Sequence, residues 1–209
     1  IWHFLPKSPR RSTKIVIIGT FYNPGWFYAH ATPLARCKNV DEVLVICDSE
    51  VAYGEGNVSF RCPSTKTTSI FGRNLARLFT LIKVGLIDRP QIYMGYHIMP
   101  NAPLALIAAG LFGGKAIYQM TGGPLQIMDG GYRSENPILK ATGSPSRLQE
   151  ILLFAIVRRF DAVVVRGTKA KQYVKNNRLS KHCFVITGAI DTEKFKPGQS
   201  KTMDIVYIG

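Results

Sequence analysis

The sequence is poor in acidic residues. Only 13 Asp and Glu stand against 27 Lys and Arg among 209 residues, which gives a formal net charge of +14. Such an excess bears on partners rather than on the fold, because it attracts nucleic acid, anionic lipid and phosphorylated ligands. It is concentrated in residues 158–181, which contain one acid, Asp161, and eight basic residues. The eight are Arg158, Arg159, Arg166, Lys169, Lys171, Lys175, Arg178 and Lys181.

The basic segment has few aromatic residues, chiefly Tyr173. Proteins that bind single-stranded nucleic acid usually interleave stacking aromatics with positive charge, so we expect no nucleic-acid partner. An anionic membrane surface, or an acceptor with a lipid-linked phosphate, fits the segment better. We expect the attraction to come from charge, with no exposed apolar stripe beside the cluster. A solvated positive face is the alternative.

The four cysteines lack the spacing of a metal site. Cys37, Cys47, Cys62 and Cys183 show neither C-x-x-C nor a Cys/His ligand pattern, and we expect no metal and no other cofactor. Cys47 and Cys183 fall in or beside apolar runs, where a free thiol behaves as a small hydrophobe. Free thiols favour a reducing, cytoplasmic setting.

Two nucleotide-binding motifs are missing as well. Residues 20–26, which follow the first predicted strand, contain neither G-x-G-x-x-G nor the lysine of a P-loop. The functions that depend on those motifs, NAD binding and P-loop phosphate binding, therefore lose their main support.

The sequence also lacks an uninterrupted membrane-spanning run. Residues 90–114 carry no formal charge and are long enough to span a bilayer. However, Pro100, Asn101 and Pro103 interrupt them near the middle. We therefore predict a strand, a turn and a buried helix capped by Asn101 in place of a transmembrane span.

Short β-branched runs alternate with helical segments along the chain. This alternation predicts an α/β fold: a doubly wound, mainly parallel, Rossmann-like sheet with right-handed crossovers. The seven predicted strands are residues 14–19, 43–47, 58–62, 91–94, 116–119, 161–165 and 183–186. The predicted helices are residues 26–37, 67–86, 101–112, 144–156 and 168–177. Residues 121–145, with five Gly and three Pro, predict a long irregular loop, which in a compact domain is usually functional or mobile.

Two of the helices carry apolar stripes that we expect to be buried. In the helix of residues 67–86 the stripe consists of Leu75, Leu78, Phe79, Ile82 and Leu86. In the helix of residues 144–156, which Ser144 and Pro145 are expected to start, it consists of Leu148, Ile151, Leu152, Ala155 and Ile156.

The last part of the sequence carries the most specific pattern. Residues 185–197, VITGAIDTEKFKP, combine a strand, a glycine turn, an acidic cap and a final aromatic-Lys-Pro. Residues 204–209, DIVYIG, begin another strand. The pairing resembles the interdomain hinge of glycosyltransferases with two facing Rossmann-like domains, the GT-B fold, particularly its family-4 type. The resemblance implies that residues 1–197 form the N-terminal, acceptor-side domain. Residues 198–209 would then be the linker and first strand of a donor-binding domain.

The resemblance implies a transferase that moves a sugar from a nucleotide-sugar donor to a lipid-linked or saccharide acceptor, with retention and without a metal. Residues 1–209 alone are then expected to be inactive, because the nucleotide pocket would belong to the second domain. The enzyme would be cytoplasmic, peripheral on the inner face of a membrane. A nucleotide-sugar epimerase of the same fold and a non-catalytic nucleotide- or anion-binding module are the alternatives.

Two turns are candidates for donor binding, because ligands of doubly wound sheets bind beyond the carboxyl ends of the strands. Asn23 and Gly25 follow the first strand, where backbone N–H groups entering a helix suit a phosphate. Thr121, Gly122 and Gly123 follow the fifth strand and permit close approach of a ligand to the backbone. Many members of the resembling family have a histidine where this sequence has Met120. An ordinary turn is the alternative at both places.

Four residues are candidates for acceptor binding. His97 follows the fourth strand, where the resembling family has a histidine-containing loop, and it is also the one catalytic candidate, since imidazole can donate or accept near neutral pH. Tyr132 could stack on a sugar, and Arg133 could bind a phosphate through two N–H groups. Arg166 ends the sixth strand and could face the cleft. Structural or solvated roles are the alternatives for each.

Overall fold

The computed structural model describes residues 13–21, 24–52 and 56–187. Asn23, residues 198–209 and most of the hinge-like pattern lie outside these ranges. The described strands are β1 Lys14–Ile18, β2 Glu42–Ile46, β3 Val58–Phe60, β4 Ile92–Tyr96, β5 Lys115–Met120, β6 Ala162–Val165 and β7 Cys183–Val185. The described α-helices are α1 Pro24–Ala35, α2 Thr65–Ile87, α3 Asn101–Phe112, α4 Pro137–Lys140, α5 Arg147–Val157 and α6 Thr168–Asn176.

The strands form one sheet in the order β3-β2-β1-β4-β5-β6-β7, and every neighbouring pair is parallel. The chain moves outward from β1 to β3, returns through α2, and continues outward on the other side from β4 to β7. The doubly wound, Rossmann-like sheet predicted from the sequence is therefore confirmed. Its order reverses between β1 and β4, where Ile15 is paired with Ile92.

The helices cover the two faces of the sheet unequally. On one face α1 contributes Phe27 and Ala31 to a buried cluster, and on the other α2, α3, α5 and α6 share a larger cluster. Gly95 allows α3 to lie close to β4, because a Cβ there would come within 2.6 Å of the Cα of Ala102. The uncharged run of residues 90–114 divides into β4 and α3, as predicted. In the described ranges, no helix combines the length and apolar character that crossing a membrane requires.

The predicted apolar stripes of α2 and α5 are buried only in part: Leu78 and Ile156 pack against the core, but most of the other stripe residues face outward. In α2 the exposed residues include Leu75, Phe79 and Leu86, and the helix is capped at Ser64, not near residue 67. In α5 the cap is Ser146, not Ser144. The outward residues of α5 are Leu148, Ile151, Leu152 and Ala155, and the inward ones are Leu153, Phe154 and Val157. Both helices are apolar around much of their circumference, and periodicity alone therefore could not select the buried side. An exposed apolar stripe does accompany the basic segment, contrary to expectation.

Residues 121–145 are more regular than the predicted loop. They contain two 3-10 helices, Gly123–Gln126 and Met128–Gly131, followed by α4. Gly131 has a φ of +75°, and a Cβ there would lie 2.4 Å from Cδ1 of Leu139. Both its conformation and its packing against α4 therefore require glycine.

One buried arginine connects the carboxyl ends of three strands. The side chain of Arg77, 1% exposed, binds both carboxylate oxygens of Asp48 through Nε at 3.0 Å and Nη2 at 2.7 Å. Nη2 also donates to Oγ1 of Thr20 at 2.9 Å, and Nη1 to Oδ1 of Asn101 at 2.9 Å. Asn101 in turn donates to the carbonyl of Tyr96, so its side chain serves this network and not, as predicted, a helix cap. Thr20, Asp48 and Tyr96 follow or end β1, β2 and β4.

We expect Arg77→Met to lower the free energy of unfolding by about 3 kcal/mol, because it leaves Asp48 and Asn101 without their shared donor. Urea denaturation measures the change. Arg73→Met is the matched control: its guanidinium is 62% exposed and lies 3.7 Å from the same carboxylate, and we expect it to cost less than about 1 kcal/mol. Equal losses of unfolding free energy in the two variants would contradict the conclusion that Arg77 holds the three strand ends together.

Candidate functional site

An open cleft of about 450 Å³ lies at the carboxyl ends of the strands, beside the reversal between β1 and β4. Thr20 and the first turn of α3 line its inner part, and residues 133–138 line another side. The cations Arg73 and Arg133 and the carboxylate of Glu135 are also among its lining residues. Open α/β sheets bind ligands at this position, which makes the cleft the candidate site.

His97 is held in the cleft by a network of uncharged groups. Its Nδ1 lies 3.0 Å from Oγ1 of Thr121 and 3.1 Å from Nε2 of Gln126. The hydroxyl of Tyr118 donates to Oε1 of Gln126 at 2.6 Å, which turns Nε2 toward the histidine. An amide N–H cannot accept a hydrogen bond, so Nδ1 accepts and the neutral ring carries its proton on Nε2. Burial raises the pKa of Tyr118 well above its ordinary value, and its hydroxyl keeps the donated proton.

The backbone of His97 turns sharply at the end of β4. Its φ of +65° lies in the left-handed region that few residues other than glycine adopt, and its carbonyl accepts from the N–H of Ala102 at 3.2 Å. This local strain fits a residue placed for function, where the surrounding hydrogen bonds fix the conformation.

The environment of His97 favours the neutral ring. Burial lowers its pKa below the ordinary 6.5, although the carboxylate of Glu135 opposes the shift. The ring stacks on Trp26 with centroids 5.8 Å apart and planes inclined by 20°. Its Nε2 is buried and has no hydrogen-bond partner within the described part of the chain. Nε2–H is therefore the unpaired hydrogen-bonding group of this ring, and a ligand oxygen would reach it only after the atoms that cover it move.

A second histidine lies behind His97 in an aromatic cluster. The ring centroid of His30 is 4.7 Å from that of Trp26 and 5.3 Å from that of Tyr96. Burial is the main cause that lowers the pKa of His30 to about 4, and the electrostatic influence of Arg166 and of His97 adds to it. Neither Trp26 nor His30 was predicted as part of the site.

The structure brings together about half of the predicted site residues that it describes. His97, Gly122 and Arg133 line the cleft, and Thr121 binds His97. A Cβ on Gly122 would come within 3.0 Å of Nε2 of Gln126, so glycine leaves room for the amide that holds the histidine. Arg133 also pairs with Asp129 at 3.2 Å.

The other predicted residues do not line the cleft. Gly25 is exposed in the first turn of α1, and Gly123 begins a 3-10 helix. Tyr132 is half-buried, and Arg166 is exposed just after β6. Across residues 13–21, 24–52 and 56–187, no three His, Cys, Asp or Glu side chains group as a metal ion would need.

The fold is similar to solved structures of proteins that are about twice as long. S. aureus MnaA, solved with UDP, matches with a TM-score of 0.52 and 12% identity over 83% of this chain and 43% of that one. A UDP-N-acetylglucosamine 2-epimerase matches with a TM-score of 0.50 and 14% identity over 84% and 48%. The chain has the fold of one half of a GT-B protein.

A third solved structure is similar to this chain as well. Phytolacca americana UGT2, complexed with UDP-2-fluoro-glucose and pterostilbene, has a TM-score of 0.50 and 10% identity over 78% of this chain and 51% of that one. The chain thus spans about half the length of the solved structures it matches. Identities of 10–14% show the fold alone. No family model and no curated protein matches the sequence.

We expect the GT-B half to lose stability between pH 6.5 and about 4 in part through His30. Above pH 6.5 His30 is neutral in both the folded and unfolded chains. As the pH falls toward the folded value of about 4, the unfolded chain binds a proton that the folded chain does not, and folding is disfavoured. Urea midpoints measured across this range should fall less steeply for His30→Asn than for the natural chain. Parallel curves would show that His30 is not protected from protonation.

Proposed function

We propose that this GT-B half is the acceptor-side domain of a glycosyltransferase resembling the family-4 type. The whole enzyme would move a sugar from a nucleotide-sugar donor to a lipid-linked or saccharide acceptor, with retention and without a metal. The observation that carries the proposal is the neutral imidazole of His97 in the cleft. Thr121 and Gln126 hold its Nδ1, and Nε2–H is left without a partner among the described residues. The matched fold adds support, since one of the similar structures contains a UDP-sugar analogue.

The chemistry of the cleft suits a sugar and a phosphate together. A neutral N–H donor on His97 can bind a sugar hydroxyl without removing its proton, because the lowered pKa makes the ring a weak base. Arg73 and Arg133 line the same cleft, and guanidinium groups bind phosphate oxygens through paired N–H donors. We assign His97 to hydroxyl binding and the two arginines to a phosphate of the donor or acceptor. Base and ribose contacts would come from the second domain.

A nucleotide-sugar epimerase is the second candidate. Epimerisation at a sugar carbon needs a base that removes a proton and an acid that returns one. Among the described lining residues, Glu135 is the carboxylate available for this role, and His97 is a weak base. We rank the transferase first because the cleft is built mainly from neutral donors and cations.

In the full-length natural protein we expect His97→Ala to lower kcat/KM for sugar transfer by roughly 10- to 100-fold, because it removes one hydrogen bond that stabilises the transition state. His97→Gln should retain more activity, because its amide can still donate. Transfer from labelled UDP- and GDP-sugars measures the rate, and NMR of the anomeric carbon tests retention. Tyr132→Phe is the control outside the cleft. An epimerised sugar nucleotide formed without any acceptor would favour the second candidate.

We further propose an anionic membrane surface, on the cytoplasmic side, as a partner of the basic segment. α6 carries Lys169, Lys171 and Lys175 and no acid, while Ala170 and Val174 face the core. The one acid of residues 158–181 is already engaged: Asp161 accepts from Nζ of Lys115 at 2.8 Å and from the N–H of Ala116 at 2.9 Å. The lysines therefore keep their charge for lipid headgroups.

Reversal of Lys169, Lys171 and Lys175 to Glu should weaken binding to anionic vesicles at least roughly 100-fold, because each cation near such a surface contributes about 1 kcal/mol. Co-sedimentation with phosphatidylglycerol vesicles measures the binding, and circular dichroism checks the fold. Added salt should weaken binding of the natural chain. Equal binding to neutral phosphatidylcholine vesicles would contradict the electrostatic role.

A further inference from the structure

The outward side of α5 is apolar and exposed. Leu148, Ile151 and Leu152 are exposed by 70%, 51% and 56%, and Ala155 continues the same stripe. Residues three and four apart share one side of a helix, so these side chains form a single surface. Leu153 lies on the opposite side, buried in the core. The helix is therefore apolar on two sides, and the core uses only one of them.

Contacts between their side chains hold α5 and the basic helix α6 next to each other. The rings of Phe154 and Tyr173 lie 6.4 Å apart. The guanidinium of Arg158 lies 5.6 Å from the centre of the Phe154 ring, and its Nη2 donates to the carbonyl of Asn177 at 3.2 Å. The apolar helix α5 consequently has the cation Arg158 beside its Phe154, and its neighbour α6 carries Lys169, Lys171 and Lys175.

The acids of this region do not neutralise the lysines of α6. Residues 144–187 contain two, Glu150 and Asp161. Glu150 accepts from Nη1 of Arg147 at 2.7 Å and from the N–H of Asp129 at 3.0 Å, and Asp161 is held by Lys115 and Ala116. An exposed apolar stripe on a helix next to unneutralised cations complements the acyl chains and anionic headgroups of a bilayer. A second copy of this surface would be repelled by the same charge.

We propose that α5 is a membrane-docking helix that inserts Leu148, Ile151 and Leu152 into the headgroup–acyl boundary of an anionic bilayer. Interfacial helices bury their apolar side about 5–10 Å below the headgroups. The inference deepens the proposed membrane partner and rests on that part of the proposed function. Insertion of α5 differs from attraction by charge alone, because the contact is made by apolar side chains and salt does not screen an apolar interaction.

The same helix is connected to the cleft. The N–H of Ser146, the cap of α5, donates to the carbonyl of Asp129 at 3.1 Å, and the N–H of Asp129 donates to Glu150 within α5. Asp129 also pairs with Arg133, which lines the cleft. Docking through α5 thus connects the bilayer, through Asp129, to the cleft residue Arg133. The phosphate of a lipid-linked acceptor would lie at the surface of that bilayer.

The test compares the natural chain with a variant carrying Leu148→Ser, Ile151→Ser and Leu152→Ser. Flotation with phosphatidylglycerol vesicles should show binding at least 10-fold weaker in the variant, and only the natural chain should keep a salt-resistant bound fraction. Leu86→Ser with Ile87→Ser is the matched control: these α2 residues are 62% and 67% exposed, and their replacement should leave binding unchanged. Unaltered binding of the α5 variant, or equal loss in the control, would overturn the proposal.

A second measurement tests the insertion of α5 even if the triple variant fails to fold. In a Leu152→Trp variant, insertion should shift the indole emission to the blue and allow quenching by lipids brominated on their acyl chains. An unshifted, unquenched indole on bound protein would overturn insertion, and a dimer seen by light scattering that the serine variant loses would assign the surface to a second copy. Neither assay contains a sugar donor, so failure here is distinct from absence of sugar transfer.

Discussion

The guanidinium of Arg77 is the constraint on which the candidate site depends. Its planar group offers five N–H donors in a fixed geometry, and here they reach a carboxylate, a hydroxyl and an amide that follow three different strands. Since the cleft is formed by the segments beyond those strands, their spacing sets its width. Lysine carries the same charge but cannot span these three acceptors in one plane. Arg77 therefore makes structural contacts, and through them it sets the shape of the candidate site.

Around His97 the site keeps neutral hydrogen-bonding groups apart from the exposed charges. Around His97 the partners are a hydroxyl and an amide, supported by a buried phenol, and the ring itself stays uncharged. Arg73 and Arg133 are exposed. The uncharged groups around His97 bind hydroxyl groups without competing for their protons, whereas exposed guanidinium groups attract a phosphate at little desolvation cost. This division follows from burial, because an ion placed where His97 lies would lose its hydration.

Much of the fold could be predicted from the sequence, and the site only in part. Runs such as residues 14–19 identify buried parallel strands through their β-branched residues, and His97 and Thr121 were found because they follow such strands. Gln126 gave no signal, since it lies in a glycine-rich segment without periodicity. Arg77 appeared as one more polar position on a helix. The buried sides of α2 and α5 were assigned correctly only for residues such as Leu78 and Ile156, because apolar residues surround both helices and packing, not pattern, decided which side is buried.

The parallel pairing of β1 with β4 has a consequence for how the chain folds. Ile15 lies beside Ile92, so the central ladder closes only after α1, β2, β3 and α2 have been synthesised. Pairing over so long a sequence separation is slow, because the loop must close before the contacts stabilise it. A nascent chain that ends before β4 therefore exposes the edge of β1 with which β4 later pairs. The cleft, which needs both strands, is among the later parts of the molecule to form.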